Sequence, residues 1–225
     1  DTAEHLLRAA KEACSQAKQA GGNRLQVYQP NVEELSRRDN VMTWVAKLNQ
    51  ALEEESLTLR CQKIEAIEPG RRSTELPHYE VLLGMRDEGG EDLSPAEFVQ
   101  AAERHNRMLA VDRWVVDSAF HWLREHPEKL EQLGMVSINL SGRSLTDAQM
   151  MSYILDRLLE YGLPPGKLCF EVTETTAISN LADAVDLMQE LRKIGCRFAL
   201  DDFGAGHSTY SYLKHLPLDF VKIDG

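Results

Sequence analysis

The chain has 225 residues, of which 43% are hydrophobic and 27% charged, and its formal net charge is -11. The length allows one large domain or two smaller ones, and no apolar run approaches the roughly 18 residues of a membrane span. An acidic protein without a basic stripe repels nucleic-acid backbones, so we expect no polymeric DNA or RNA partner, whereas a small anionic ligand held through metal ions fits the charge.

The first 55 residues predict two helices separated by one short strand. A helical pattern over 3–20 ends at Gly21-Gly22, and a short strand follows at 24–28. A second helix is predicted from about Asn31 to Glu55, with apolar residues at helical spacing. Because its outer face is charged, we interpret this helix as a connector between two domains.

Six strand-like runs follow, and from the second onward they alternate with amphipathic helices. The runs are 57–67, 79–85, 136–140, 168–172, 197–200 and 220–223. The first two are separated by a polar loop and can pair as a hairpin. The alternation predicts an α/β protein with a parallel sheet, and at this point both a (β/α) barrel and a doubly wound sheet fit.

Acids and amides lie at or near the carboxyl ends of these strands, where a strand buried on both faces should be apolar. They are Asn139, Glu171 with Glu174 just beyond it, Asp201-Asp202, and Lys222 followed by Asp224. Glu80 instead lies near the start of its own strand, which suggests that this strand runs antiparallel to the others.

At one rim of a barrel, these residues would bring four or more carboxylates together, which is unfavourable unless a cation lies between them. Oxygen ligands without Cys or His suit a hard cation such as Mg²⁺ or Mn²⁺. The pattern therefore predicts a metal-dependent hydrolase that acts on phosphate, with Asp201-Asp202 placed to bridge two metals. Lys222 would orient the attacking water or neutralise charge on the phosphate; the alternative for this lysine is a structural salt bridge.

From about residue 56 to the end, the chain resembles the EAL family of bacterial phosphodiesterases, which open cyclic di-GMP to linear pGpG. The matching segments are Glu80-Val81-Leu82-Leu83, Asn139-Leu140-Ser141, Glu171-Val172-Thr173-Glu174, Asp201-Asp202-Phe203-Gly204-Ala205-Gly206 and Lys222-Ile223-Asp224. Each segment alone is modest, but all of them in this order are specific. The resemblance implies a role in bacterial second-messenger signalling, including biofilm control, and a modified (β/α)₈ TIM-like barrel whose first strand is antiparallel.

By resemblance, one set of side chains would bind Mg²⁺ or Mn²⁺: Glu80, Asn139, Glu171, Asp201 and Asp202. The last two of these would reach a second ion. The implied catalytic residues are Lys222, which would help activate the water, and Glu174, which would fix the loop after the acid pair. Gln62 and Asp224 are the implied substrate contacts, with Gln62 near a guanine base.

Residues 1–30 resemble the C-terminal end of a GGDEF (diguanylate cyclase) domain, through the segments 13–18 and Gly21-Gly22-Asn23-Arg24. The expected organisation is a GGDEF remnant at 1–30, a connecting helix at 31–55 and an EAL domain at 56–225. Further GGDEF or sensory domains, and any membrane anchor, would lie upstream in an otherwise cytoplasmic protein.

Three departures from the family pattern bear on activity. Val81 replaces an Ala, which is a mild change. Gly84 stands where the family usually has an Arg that contacts the ligand's phosphate, a loss of about 1.5–3 kcal/mol; Arg86, two residues on, is a candidate replacement. The last two strand–helix units are absent, so we expect an open barrel truncated after about six strands, with little turnover from the fragment, and dimerisation would cover its edges.

Two functions other than catalysis stay open. A weak or inactive EAL domain that acts as a cyclic-di-GMP receptor would agree with Gly84. A scaffold that binds only proteins is disfavoured by the retained acids, because unpaired acids are costly when they have no role.

Overall fold

The computed structural model describes Ala10, Trp44 and residues 46–53, 56–65, 76–86, 92–93, 95–204 and 210–224. The chain divides into the units Asp1–Thr43 and Trp44–Gly225. Of the predicted GGDEF remnant at 1–30, only Ala10 is among the described residues. The first part of the predicted connecting helix also lies outside them. Residues 46–53 of that helix are helical, and the proposed three-part division stays a prediction.

Within the described residues, seven strands form one sheet. They are β1 (Leu57–Ile64), β2 (His78–Arg86), β3 (Asp92–Leu93), β4 (Met135–Asn139), β5 (Leu168–Thr173), β6 (Arg197–Phe203) and β7 (Phe220–Ile223). The sheet order is β1-β2-β4-β5-β6-β7, and the short β3 pairs with β2. β1 and β2 form an antiparallel hairpin, and β2, β4, β5, β6 and β7 run parallel to one another.

This topology confirms the six predicted strands, the hairpin and the parallel sheet. It also corrects one expectation: Glu80 is the third residue of β2, which is parallel to β4, and the strands antiparallel to β2 are β1 and the short β3. A position near the start of a strand was a poor guide to direction, because neighbouring strands of a barrel are tilted and staggered. The strand β3 is not among the predicted strands, because its two residues are too few to show the alternation typical of a strand.

Helices connect and cover the strands. They are α1 (Pro95–Arg104), α2 (Met108–Glu125), α3 (Pro127–Gln132), α4 (Gly142–Thr146), α5 (Met150–Tyr161), α6 (Glu174–Ser179) and α7 (Leu181–Lys193). Gly162 ends α5 in the left-handed conformation, at a φ of 66°, and its N–H donates to the carbonyl of Leu158. In the described part of the chain, no helix is long and apolar enough to cross a bilayer.

The two faces of the sheet have different compositions. One face is fully apolar where helices cover it, and its buried residues share a cluster with helix residues: Ile138, Phe170, Val172, Phe198, Leu200, Phe120, Ile154 and Met188. The alternate residues Ser137, Cys169 and Ala199 face the other, concave side and are also buried. Among the described strands, β1 and β7 are not paired with each other, and Val221 and Ile223 on β7 are exposed, as expected for an unclosed barrel.

A buried aspartate fixes the segment that follows β4. Asp112 on α2 is 3% exposed, and its Oδ2 accepts hydrogen bonds from Ser141 N at 2.9 Å, Ser141 Oγ at 2.5 Å and Ser144 Oγ at 2.6 Å. These donors belong to the start of α4, whose own first residues provide no side-chain cap. Burial raises the pKa of Asp112, although the three hydrogen bonds act in the opposite direction.

We expect Asp112→Ala to lower the free energy of unfolding by about 2–4 kcal/mol, because one buried and two partly buried donors lose their acceptor. Asp112→Asn keeps an oxygen acceptor and should cost less. Since the pKa of Asp112 is raised by folding, its contribution to stability falls as the pH rises above about 4. The stability advantage of the wild type over Asp112→Asn in urea unfolding should therefore narrow from acid to neutral pH; a widening advantage would contradict this assignment.

Candidate functional site

Three carboxylates from different strands meet on the concave face. Glu80 comes from β2, Glu171 from β5 and Asp201 from β6, and one oxygen of each lies within 4.8 Å of the others. Their side chains are 16%, 1% and 21% exposed, respectively. The cluster therefore combines one fully buried acid with two that solvent can reach, and the structure brings together three of the acids that the sequence singled out.

Lys222 on β7 joins the three carboxylates. Its Nζ lies 2.9 Å from Glu80 Oε2, 2.6 Å from Glu171 Oε2 and 3.0 Å from Asp201 Oδ2. Burial acts to lower the pKa of Lys222, but hydrogen bonds to the three carboxylates outweigh it and the net pKa is raised. Lys222 is therefore a stable ammonium, and it compensates one of three negative charges.

Burial raises the pKa of Glu171, although the hydrogen bond from Lys222 acts to lower it. Asn139, at the end of β4, lies beside the cluster and donates from Nδ2 to Glu80 Oε1 at 3.0 Å. In this orientation its amide oxygen is not used in the bond to Glu80 and can serve as a ligand or acceptor. The site thus contains carboxylate and amide oxygens around one ammonium.

The stagger of the strands explains how Glu80 reaches this cluster from an early position in β2. Glu80 pairs with Ser137, two residues before Asn139, and Asn139 pairs with Glu171. Asp201 lies two residues beyond the partner of Glu171 on β6. The site therefore follows an oblique line across tilted strands, as expected for a barrel wall.

Asp202 lies next to the cluster, outside the group of three carboxylates whose oxygens converge. Its φ of 54° is in the left-handed region, and the pairing of β6 with β7 shifts register between Leu200 and Phe203. Burial, Asp201 and Asp224 raise the pKa of Asp202. A regular strand would direct adjacent side chains to opposite faces, and this bulge breaks that alternation at the acid pair.

Glu174 lies behind the site. It is 1% exposed, and its carboxylate accepts hydrogen bonds from Gly204 N at 3.0 Å and from the hydroxyl of Tyr212. Gly204 has a φ of 101°, which a residue with a side chain rarely adopts. Glu174 thus ties the turn after Asp201-Asp202 to the 3-10 turn at Tyr210–Lys214, which agrees with a role in holding that loop.

The two predicted substrate contacts lie near the cluster. Gln62 on β1 is directly opposite Glu80, so both side chains project from the same face of the sheet. Asp224 follows β7, and its backbone N–H donates to Phe203 O at 3.1 Å. Both residues are exposed, and their contact with substrate stays a prediction.

Sequence reasoning missed two residues that support the site. Asp112 interrupts the apolar stripe of α2 between Val111 and Val115, and a charged residue at a core-facing position is the signal that would have revealed it. Tyr212 is also buried, but nothing in its sequence surroundings indicates its contact with Glu174.

The donor set fits a hard divalent cation. Three carboxylates and one ammonium leave two negative charges uncompensated, and all available ligand atoms in the cluster are oxygens. Mg²⁺ and Mn²⁺ prefer such ligands. Glu80, Glu171 and Asp201, with the amide oxygen of Asn139, are the residues that would hold the ion.

Comparison with known proteins gives consistent results. Cyclic di-GMP phosphodiesterase PdeB of Shewanella oneidensis is 41% identical over 223 residues, which is 99% of this chain and 26% of that protein. Cyclic di-GMP phosphodiesterase PdeF of Escherichia coli is 34% identical over 179 residues, or 80% of this chain and 23% of that protein. The chain thus spans about a quarter of the length of these curated relatives.

Solved structures have the same fold. The EAL domain of FimX from Pseudomonas aeruginosa, bound to c-di-GMP, matches with a TM-score of 0.72 and 34% identity over 81% of this chain and 71% of that chain. The PaMucR phosphodiesterase in complex with c-di-GMP matches with a TM-score of 0.71 and 30% identity over 81% of this chain and 72% of that chain. The EAL domain family model matches residues 45–225. With this match and the relatives above, the chain belongs to the EAL domain family.

Proposed function

We propose that this chain provides the catalytic domain of a cyclic-di-GMP phosphodiesterase, which hydrolyses cyclic di-GMP to linear pGpG with Mg²⁺ or Mn²⁺. The observation that carries the proposal is the convergence of Glu80, Glu171 and Asp201 on the concave face, with oxygen ligands only. Two relatives that are cyclic di-GMP phosphodiesterases by name and two similar solved structures in complex with c-di-GMP support the choice of substrate.

In the proposed reaction, a water oxygen attacks one phosphorus atom, a P–O ester bond of the ring breaks, and the leaving oxygen gains a proton. Bound Mg²⁺ or Mn²⁺ would supply Lewis acidity and lower the pKa of the attacking water. Lys222 stays protonated because its pKa is raised, so it does not accept the proton. It would donate a hydrogen bond to the water or the phosphate in place of one of its three carboxylate contacts. The carboxylates of the cluster are the available proton acceptors.

The neighbouring residues have supporting roles in this proposal. Asp202 would reach a second ion together with Asp201, and Gln62 and Asp224 would contact the substrate. Glu174 would keep the acid pair in position through the turn at Gly204. We also propose that residues 1–30 are the end of a GGDEF domain, that further domains regulate the enzyme, and that the active form is a dimer.

A receptor that binds cyclic di-GMP without cleaving it is the competing function. Gly84 is the residue that favours it, since a phosphate contact is lost at this position. The convergence of Glu80, Glu171 and Asp201 favours cleavage, because binding alone gives no reason to gather like charges. The relatives named as phosphodiesterases favour cleavage as well.

Glu80→Ala should reduce the rate of pGpG formation by about a thousandfold or more, or about 4 kcal/mol of barrier, because the cluster loses one ligand. The measurement is chromatography of cyclic di-GMP incubated with Mg²⁺ or Mn²⁺, on the chain and on a form extended to a closed eight-stranded barrel. Glu125→Ala, which removes an exposed acid at the end of α2, should keep the wild-type rate. Intact ligand with the wild-type form extended to a closed barrel, together with binding in chelator, would establish the receptor function instead.

Lys222→Met separates a catalytic lysine from a structural ion pair. Removal of the ammonium leaves the three carboxylates more negative, so the apparent affinity for Mn²⁺ should rise. The rate at saturating Mn²⁺ should nevertheless fall by about a hundredfold, because the donor to water or phosphate is lost. A rate near that of the wild type at saturating Mn²⁺ would assign Lys222 a purely structural role.

Glu174→Ala should lower turnover by about tenfold or more and the free energy of unfolding by about 1–3 kcal/mol, because Gly204 N–H and the hydroxyl of Tyr212 lose their acceptor. Tyr212→Phe is the matched control, since it keeps the bond to Gly204 and should retain most of the turnover. Equal losses of turnover in the two variants would show that the bond to Gly204 is not what positions the acid pair.

A further inference from the structure

The concave face around the cluster has an excess of negative charge. Glu171, Asp201, Asp202 and Asp224 are acids, and the one ammonium of the cluster, Lys222, already contacts three carboxylates. A cyclic dinucleotide brings two phosphodiesters, each of them anionic. Divalent ions can compensate the phosphate that reacts, but a phosphate farther from the cluster needs a cation supplied by another part of this face.

Arg60 on β1 is such a cation. Arg60 pairs with Leu82 of β2. Gln62, two residues after Arg60 in the chain, pairs with Glu80. Residues that are two apart in a strand share a face, so Arg60 projects from the same face as Glu80. Because β1 is antiparallel to β2, Arg60 lies toward the carboxyl end of β2, about 7 Å farther along the sheet than Glu80. Arg60 is exposed.

The side chain of Arg60 lies next to Gly84. A Cβ at position 84 would lie 2.7 Å from Thr58 Oγ1 and 3.7 Å from Arg60 Nε. The guanidinium of Arg60 therefore lies beside the bare backbone of Gly84, where a side chain at 84 would otherwise project. In the described part of the structure, Thr58 Oγ1 is buried without a hydrogen-bond partner, so this gap also contains a hydroxyl that is able to donate.

We infer that Arg60 binds a phosphate of the cyclic dinucleotide and provides the phosphate contact that Gly84 cannot make; this inference rests on cyclic di-GMP being the ligand of the proposed function. The guanidinium presents paired N–H donors that match two phosphate oxygens. Arg86 is a weaker candidate, because it lies at the end of β2 opposite Asp92 of β3, six residues or about 20 Å from Glu80. Arg60 lies much closer to the acids that would hold the reacting phosphate.

The test compares cyclic-di-GMP affinity by calorimetry, in chelator and with Mg²⁺, among the wild type, Arg60→Ala, Arg60→Gln and Arg60→Lys. Arg60→Ala and Arg60→Gln should each weaken binding by about tenfold to a hundredfold, and Arg60→Lys less, since charge remains while the paired donors are lost. The affinity of Arg60→Ala should also depend less on salt. Arg197→Ala is the matched control: it removes an exposed arginine from the opposite end of the parallel strands and should bind as the wild type does.

The outcomes separate this inference from the proposed function. Wild-type binding without cleavage, weakened by Arg60→Ala, would remove the phosphodiesterase proposal and keep the assignment of Arg60. Unchanged affinity in Arg60→Ala and Arg60→Gln, with folding verified by thermal unfolding, would overturn the assignment even if the enzyme is active. A loss of affinity in Arg86→Ala instead of Arg60→Ala would overturn it in favour of Arg86.

Discussion

The contact of one ammonium with three carboxylates organises the concave face of this protein. Lys222 lies within 3.0 Å of an oxygen of Glu80, Glu171 and Asp201, and these acids come from three other strands. Without a cation, repulsion among the acids would oppose the packing of β2, β5 and β6 against one another. Lys222 therefore connects β7, the last described strand, to the carboxylates of β2, β5 and β6.

Two buried acids fix the loops next to this contact through hydrogen bonds. Asp112 fixes the segment after Asn139 through the serines of α4, and Glu174 fixes the turn after Asp201 through Gly204. In each case a carboxylate on a helix accepts hydrogen bonds from a loop that carries a site residue. The helices thus do more than cover the apolar face of the sheet, since they also position the polar ends of the strands.

The strand pattern and the convergence of Glu80, Glu171, Asp201 and Lys222 could be predicted from the sequence, because both depend on local periodicity and on the position of polar residues in the strands. The direction of β2 could not, since strand direction and stagger depend on pairing between distant segments. The same limit applies to Asp112 and Tyr212, whose partners are 29 and 38 residues away. Local sequence indicates which residues are candidates for the site, and the pairing of distant strands determines where their side chains come together.

The hairpin of β1 and β2 places side chains of the two strands next to each other on one face. Directly paired residues of an antiparallel hairpin share a face, so a side chain lost from β2 leaves space that a side chain of β1 can fill. Gly84 pairs with Thr58, and Arg60 is the next residue of β1 on the same face, with its Nε 3.7 Å from the position of a Cβ at 84. A cationic side chain on β1 can therefore place its charge near the part of the face that a cationic side chain at position 84 of β2 would cover. A missing motif residue is thus weak evidence for lost function until the strand beside it has been considered.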